Sequence, residues 1–400
     1  MKILILSMFF PPYNSIASVR LGKIAKYLHL HGNDIRVVTA SNLPVSRDLL
    51  LEVPYNLVRY ENSYNFFLRR IQSLRRSFSV YGSISGLIWI LPALRSAIAV
   101  VQAWKPDVIL ASSPPRSVLL LAHLLHKVTR VPWVADLRDA WADDYRYSNP
   151  PFRKAVELLQ EKTMLQSASG FTTVSEPLAQ PLRWRYRKPT CVILNGFDLD
   201  DYDFQCSTVP NLPLRIVYTG TMYSVRLEML KMFFSALQAG GFSPEQLQVH
   251  CYGYGADILV NAVQSFGLQH MIMHHGLVTY KSSLQIQCSA DILLFPSYPD
   301  RGVYSGKLFE YLAAQRPILY IGPKDNVAAK LIQNRGAGCI ADQRDDIVAQ
   351  LRLWIATKQA DGTIPSLPSS VKQGLSREEQ TFYLEQFLER VTTKNQVSLR

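Results

Sequence analysis

Cysteine is scarce in this chain and one-sided. Five stand at positions 191, 206, 251, 288 and 339, and the first 190 residues have none. So odd and scattered a set forms neither a disulfide framework nor a zinc motif, which excludes a small oxidised scaffold. Long apolar runs are missing as well. The longest uncharged stretch near membrane-span length, Ser77 to Leu94, carries four serines, two glycines and a proline, too polar for a transmembrane helix. The N-terminus, MKILILSMFFPPYN, has no small-residue cleavage site and reads as a buried first strand, not a signal peptide. These absences give the expectation of a cytoplasmic protein. A third absence is local: residues 62–104 hold five arginines and no acidic residue.

What is present suits two globular domains. The chain has 400 residues, 48% of them hydrophobic and 18% charged, enough for two cores and too apolar for disorder. Its net charge of +12 is unevenly spread. Residues 1–200 hold 25 basic and 14 acidic side chains, whereas 201–400 hold 18 and 17. The excess therefore belongs to one domain and to a partner that favours positive charge.

Short β-rich runs alternate with helical patterns, the mark of parallel α/β layers. Strands are expected at 2–7, 34–40, 106–114, 131–137, 170–175 and 191–196, with a first helix over 18–32. The rhythm restarts with strands at 215–221, 247–253, 271–276, 290–296 and 317–322, and a terminal helix begins near Ser376. Two Rossmann-like domains follow, 1–196 and 197–375, with residues 376–400 as a helix beyond them. Ligand is expected at the carboxyl ends of the strands.

The strongest local motif is YSGKLFEYLAAQRPIL, residues 304–319. Ser305 and Gly306 precede an amphipathic helix whose free N–H groups suit a diphosphate. Lys307 adds a point charge, and Glu310, one turn on, can accept hydrogen bonds from a ribose diol. The competing reading is an ordinary capped helix with a Lys–Glu surface pair. A second cluster, DLRDAWADD at 136–144, follows a strand and offers Asp136, Asp139, Asp143 and Asp144 beside Arg138. A carboxylate there can deprotonate an acceptor hydroxyl, with Asp139 the first candidate and Asp136 the second; the alternative is an Arg–Asp pair holding the loop. His274 and His275 have no sequence neighbours at metal-ligand spacing, so no metal site is expected.

Residues 304–319, together with MKILILSMFFPPYNSIASVR, VILNGFD (192–198) and HGLVTYKSSLQIQCSADILLFPS (275–297), resemble family-four, GT-B-type retaining glycosyltransferases. The resemblance, closest to the subgroup acting in bacterial cell-surface polysaccharide assembly, implies two Rossmann-like domains facing across a cleft, with the last helix crossing back to the first. It implies a donor site of Glu310, Ser305, Gly306, Lys307, Arg226, Gly220, Thr221, His275 and Gly276, with Arg226 and Lys307 neutralising the leaving diphosphate. On the acceptor side it implies Asn14, Ser15, Ser18, Arg20 and Arg138. Ser18 and Arg20 can equally be a helix cap and an exposed first-turn arginine. Two departures stand out. Gly302 occupies the place of the first glutamate of the family's Glu-x7-Glu pair, and no histidine lies where the family has its acceptor-side one.

Phe67, Ile71, Leu74 and Phe78 share one helical face, flanked by Arg70 and Arg75 and opposed by Arg69 and Arg76. That pattern suits a helix in a lipid headgroup layer, or one packed on its own domain. No nucleic-acid-binding motif accompanies the arginines. The expected protein is a metal-independent, cofactor-free hexosyltransferase, peripheral on the inner face of the plasma membrane. Its donor would be a UDP- or GDP-linked sugar and its acceptor a lipid-linked or polysaccharide-precursor hydroxyl, with retention. Two alternatives remain: a non-catalytic relative binding nucleotide or lipid, and a nucleotide-sugar epimerase of the same architecture.

Overall fold

The computed structural model describes residues 1–13, 15–41, 43, 58–63, 84–141, 150–204, 207–222, 227–297 and 302–398. The chain divides into two units, Met1–Asn195 with Arg377–Arg400, and Gly196–Ser376.

In the first unit β1 (Lys2–Leu6), α1 (Ile16–Leu30), β2 (Asp34–Ser41), β3 (Val58–Ser63) and α2 (Ile84–Trp104) precede β4 (Val108–Ser113). They are followed by α3 (Ser117–Thr129), β5 (Trp133–Leu137), α4 (Pro151–Leu165), β6 (Gly170–Thr173), α5 (Glu176–Tyr186) and β7 (Thr190–Val192). The seven strands form one parallel sheet in the order β3-β2-β1-β4-β5-β6-β7. A parallel sheet buries both faces, and the period of two sorts its residues. Leu4, Leu6, Ile109, Ala111, Trp133 and Ala135 pack under the layer of α2 to α5. Ile3, Ile5, Val108, Leu110 and Val134 face α1 and the C-terminal helix.

The second unit contains β8 (Leu214–Thr219), α6 (Leu227–Gly240), β9 (Leu247–Tyr252), α7 (Ala256–Ser265), β10 (Ile272–His274) and α8 (Tyr280–Cys288). Next come β11 (Ile292–Pro296), α9 (Gly306–Ala314), β12 (Ile318–Ile321), α10 (Val327–Asn334), β13 (Gly338–Ala341) and α11 (Arg344–Asp361). Its parallel sheet runs β10-β9-β8-β11-β12-β13. In both sheets the order reverses beside the first strand, between β1 and β4 and between β8 and β11. The loops leaving those strands are where such folds hold ligands.

The last helix, α12 (Arg377–Ser398), belongs to the first unit. Leu384, Phe387, Leu388 and Val391 bury against Leu21, Ile24, Ala25 and Leu28 of α1. Glu385 ties down the turn after α1 by accepting from Asn33 Nδ2 at 2.6 Å. The last expected strand of the first unit is shorter than its pattern. The run 191–196 leaves the sheet after Val192 because the Leu194 N–H donates to Gln380 of α12 and its carbonyl accepts from Arg20. The amphipathic segment with Phe67, Arg69, Arg70, Ile71, Leu74, Arg75, Arg76 and Phe78 lies outside the described residues. Among the described residues no helix is long and apolar enough to cross a membrane.

One buried ion pair holds the second unit's first strand. Lys358 of α11 and Asp291, both essentially inaccessible, pair with each other. Asp291 also accepts from the Arg215 N–H at 2.7 Å, and Lys358 donates to the Pro213 carbonyl at 3.1 Å. Removing one member strands a charge in the interior. Lys358→Met is expected to cost about 3–5 kcal/mol, measured by urea denaturation.

Candidate functional site

The candidate residues of the first unit are built around Arg20 and Asp136. Ser15, not Ser18, caps α1: its Oγ accepts from the Ser18 N–H at 3.1 Å and lies 2.9 Å from the Ser18 hydroxyl. That start places Arg20 on the inward side of α1, only 2% exposed, so it is not the exposed first-turn arginine of the alternative reading. Its guanidinium donates to Asp136 Oδ1 at 3.1 Å and to the Leu194 carbonyl at 3.0 Å. It also reaches Asn195 Oδ1 at 3.3 Å. The remaining capacity of Asp136 is taken by Ser112 Oγ at 2.7 Å and Thr172 Oγ1 at 2.9 Å. Burial alone would raise the Asp136 pKa, but Arg20, Arg138 and the Ser112 hydroxyl outweigh it and hold the carboxyl below its usual range. This carboxylate is an anchor joining α1, β4, β5, β6 and the chain after β7.

Arg138 and Asp139 follow β5. Arg138 donates from Nε to the Ser113 carbonyl at 3.1 Å and from Nη2 to that of Pro114 at 3.2 Å. It thereby fastens the loop after β4 to the loop after β5. Asp139 is half-buried at the edge of a small cavity of about 60 Å³, walled by Leu137, Trp141, Leu165, Leu178 and Leu182. Asn14, Asp143 and Asp144 lie outside the described residues.

In the second unit Gly220 ends β8 with φ +118°. A Cβ there would fall 2.5 Å from Lys307 Nζ. The glycine thus leaves the space that the ammonium occupies, 4.0 Å from the Tyr218 ring centroid. Gly253 repeats the device, since its Cβ would meet the Gly220 carbonyl oxygen at 2.3 Å. Thr221 follows, its carbonyl accepting from Tyr218 Oη at 3.0 Å. Ser305 makes no side-chain cap on α9, so the amides at that end do not spend themselves on a local hydroxyl, contrary to the capped-helix alternative. Glu310 Oε2 accepts from Gln287 Nε2 at 3.2 Å, and the same amide donates to Thr219 Oγ1 at 3.0 Å. Arg226 and Asp300 lie outside the described residues, and Gly302 is half-buried just before α9.

His275 is exposed beside Gly276, whose φ of +75° turns the chain after β10. Its ring lies parallel to Tyr252, with centroids 4.5 Å apart, and its Nε2 is 2.9 Å from His250 Nδ1. Desolvation and the nearby Arg215 hold both imidazoles below their ordinary pKa, His250 at about 4. A flat, neutral surface of this kind suits stacking. Among the described residues no three His, Cys, Asp or Glu side chains group to hold a metal ion.

Sequence reasoning missed Gln287, Tyr311, His250 and Tyr252. Tyr311 Oη accepts from the Thr219 N–H at 3.1 Å, so it fixes the end of β8. All four sit in runs that read as ordinary helix or strand. Only Gln287, a polar residue in a buried helical position, carried a local signal.

Residues 17–196 match the glycosyl transferase 4-like domain. The domain covers α1 through β7 and therefore the whole Arg20–Asp136 network. Solved structures resemble the entire chain. Sucrose-phosphate synthase of Thermosynechococcus elongatus is 13% identical with a TM-score of 0.66, over 100% of this chain and 99% of that one. Anabaena HepE in complex with UDP-glucose is 15% identical, TM-score 0.66, over 98% and 100%. An assigned UDP-N-acetylglucosamine 2-epimerase of Listeria monocytogenes is 11% identical, TM-score 0.57, over 93% of both. No curated protein sequence matches the chain. The two parallel sheets and these neighbours give the chain the GT-B fold.

Two outcomes are expected. Arg20→Met leaves Asp136 buried without its cation and should cost about 3–5 kcal/mol. The wild-type advantage should be present above pH ~4 and fade as acid titrates Asp136 through its lower folded value, seen as converging unfolding curves. For the imidazoles, stability of the second unit should fall between pH 6.5 and about 4. There the unfolded chain takes up protons that the folded pair refuses. His250→Phe should flatten that limb in a series of melting curves.

Proposed function

We propose that the protein is a retaining glycosyltransferase that moves a sugar from a UDP- or GDP-linked donor to a hydroxyl of a lipid-linked or polysaccharide-precursor acceptor. The observation that carries this reading is the convergence of Lys307, Gly220 and the uncapped start of α9. A glycine-made space filled by an ammonium, beside the start of a helix, is a cradle for a diphosphate. Glu310, held by Gln287, would accept the ribose hydroxyls, and the flat His275 would lie against the base. HepE, which shares the fold, is complexed with UDP-glucose.

In the reaction, the bond from the anomeric carbon to the diphosphate breaks and its electron pair passes to phosphate oxygen. Lys307, Arg226 and the α9 amides would stabilise that growing charge more than the ground state. No metal is required for this, and no cofactor beyond the donor. The acceptor oxygen bonds to the same carbon on the face the diphosphate leaves and gives up its proton. We assign the acceptor-side carboxylate to Asp139 alone, because the oxygens of Asp136 are committed to Arg20, Ser112 and Thr172. Basic residues 62–104 would seat the protein on the inner face of the plasma membrane. The epimerase alternative has less support: it explains neither the family match over 17–196 nor the arginine-rich segment.

The test is a panel of nucleotide sugars, read by thermal shift and by release of nucleoside diphosphate. One donor should raise the melting point of the wild type by mass action. Glu310→Ala should weaken that donor at least about tenfold. If no donor shifts the wild type, the transferase reading falls and the non-catalytic relative takes its place.

A further inference from the structure

The layer of α3, α4 and α5 on the first unit carries apolar side chains that packing does not explain. Phe152 is 81% exposed and Trp184 is 82% exposed, with Leu159 and Val128 also open to solvent. Amphipathic helices of a globular unit turn such residues inward. Here α4 does turn Met164 and Leu165 inward, yet presents Phe152 and Leu159 outward. The two helices are neighbours: Arg185 of α5 pairs with Glu161 of α4 at 2.6 Å, and Tyr186 Oη donates to the same carboxylate at 2.9 Å.

Among the described residues of these helices the charge left outside ion pairs is positive. Every acidic side chain of α4 and α5 is engaged: Glu157 with Arg116 and Arg153, Glu161 with Arg185, and Glu176 with Arg183. Glu157 and Glu161 are themselves buried. What faces solvent beside the apolar residues is Lys154 and Lys162 on α4, Arg187 after α5, and Lys127 and Arg130 at the end of α3. Aromatic and aliphatic side chains among uncompensated cations form the chemical complement of an anionic bilayer. The rings enter the boundary of the acyl chains while lysine and arginine reach phosphate.

We propose that the outer face of α4 and α5, with the end of α3, is a second membrane contact of this protein, inserting Trp184 and Phe152 into an anionic leaflet. It stands on described, folded helices and is separate in sequence from the arginine-rich segment 62–104. It does not depend on the identity of the donor. A protein partner would be expected to meet a more balanced set of charges.

Tryptophan makes the test direct. Of the six tryptophans, Trp89, Trp104, Trp133, Trp141 and Trp354 are buried and only Trp184 is exposed. The full-length protein is titrated with vesicles of phosphatidylglycerol and phosphatidylcholine in equal parts, and with vesicles of phosphatidylcholine alone. The anionic vesicles should shift the emission to the blue and allow quenching by brominated acyl chains. Trp184→Phe should show neither change. In co-sedimentation, Phe152→Ser with Trp184→Ser should weaken binding at least about tenfold, and Lys154→Glu with Lys162→Glu should weaken it further at low salt than at high salt. These positions are on the surface, so unchanged melting curves would confirm intact folding. Sedimentation with unaltered Trp184 emission would place the contact elsewhere and overturn the proposal, as would equal binding to both kinds of vesicle. Donor binding in the same preparation separates this outcome from failure of the transferase reading.

Discussion

The ion pair of Arg20 and Asp136 is the constraint on which the first unit's loops depend. It is buried, and it is satisfied from five parts of the chain: α1, β4, β5, β6 and the segment after β7. An unpaired charge in that position would be intolerable, so the pair demands that all five elements arrive in one arrangement. The loops that leave β4 and β5 are then fastened to each other by Arg138. Asp139 follows Arg138 in the loop after β5 and takes its position from this framework.

The second unit solves a different problem, which is how to bring a cation to the end of a strand. It does so by subtraction. Gly220 lacks the atom that would collide with Lys307, and Gly253 the one that would collide with the Gly220 backbone, and the lysine fills what is left. The face of the Tyr218 ring lies beneath the ammonium and attracts it.

The two parallel sheets were legible because burial on both faces writes itself into runs such as KILILS and ADILLFP, and Ser305 to Glu310 were legible because helix starts have a local grammar. Residues that act through distant neighbours were not. The resemblance pointed to Arg20, but nothing in its own stretch of sequence foretold its burial, which depends on Asp136, 116 positions away. Gln287 reaches Glu310 and Thr219 from a helix whose sequence shows only its period. His250 and His275 meet across neighbouring strands, a pairing set by register. Such contacts are made by topology, and no window along the chain contains them.

The chain's path has a consequence for its synthesis. The second unit is continuous from Gly196 to Ser376, whereas the first is split, with α12 as its last contribution. On the ribosome the second unit emerges whole before the first has received Leu384, Phe387, Leu388 and Val391. Until then the α1 side of the first sheet waits with its apolar residues uncovered, and domains that fold in order of emergence must here fold out of order. The part of the protein made first is the part finished last.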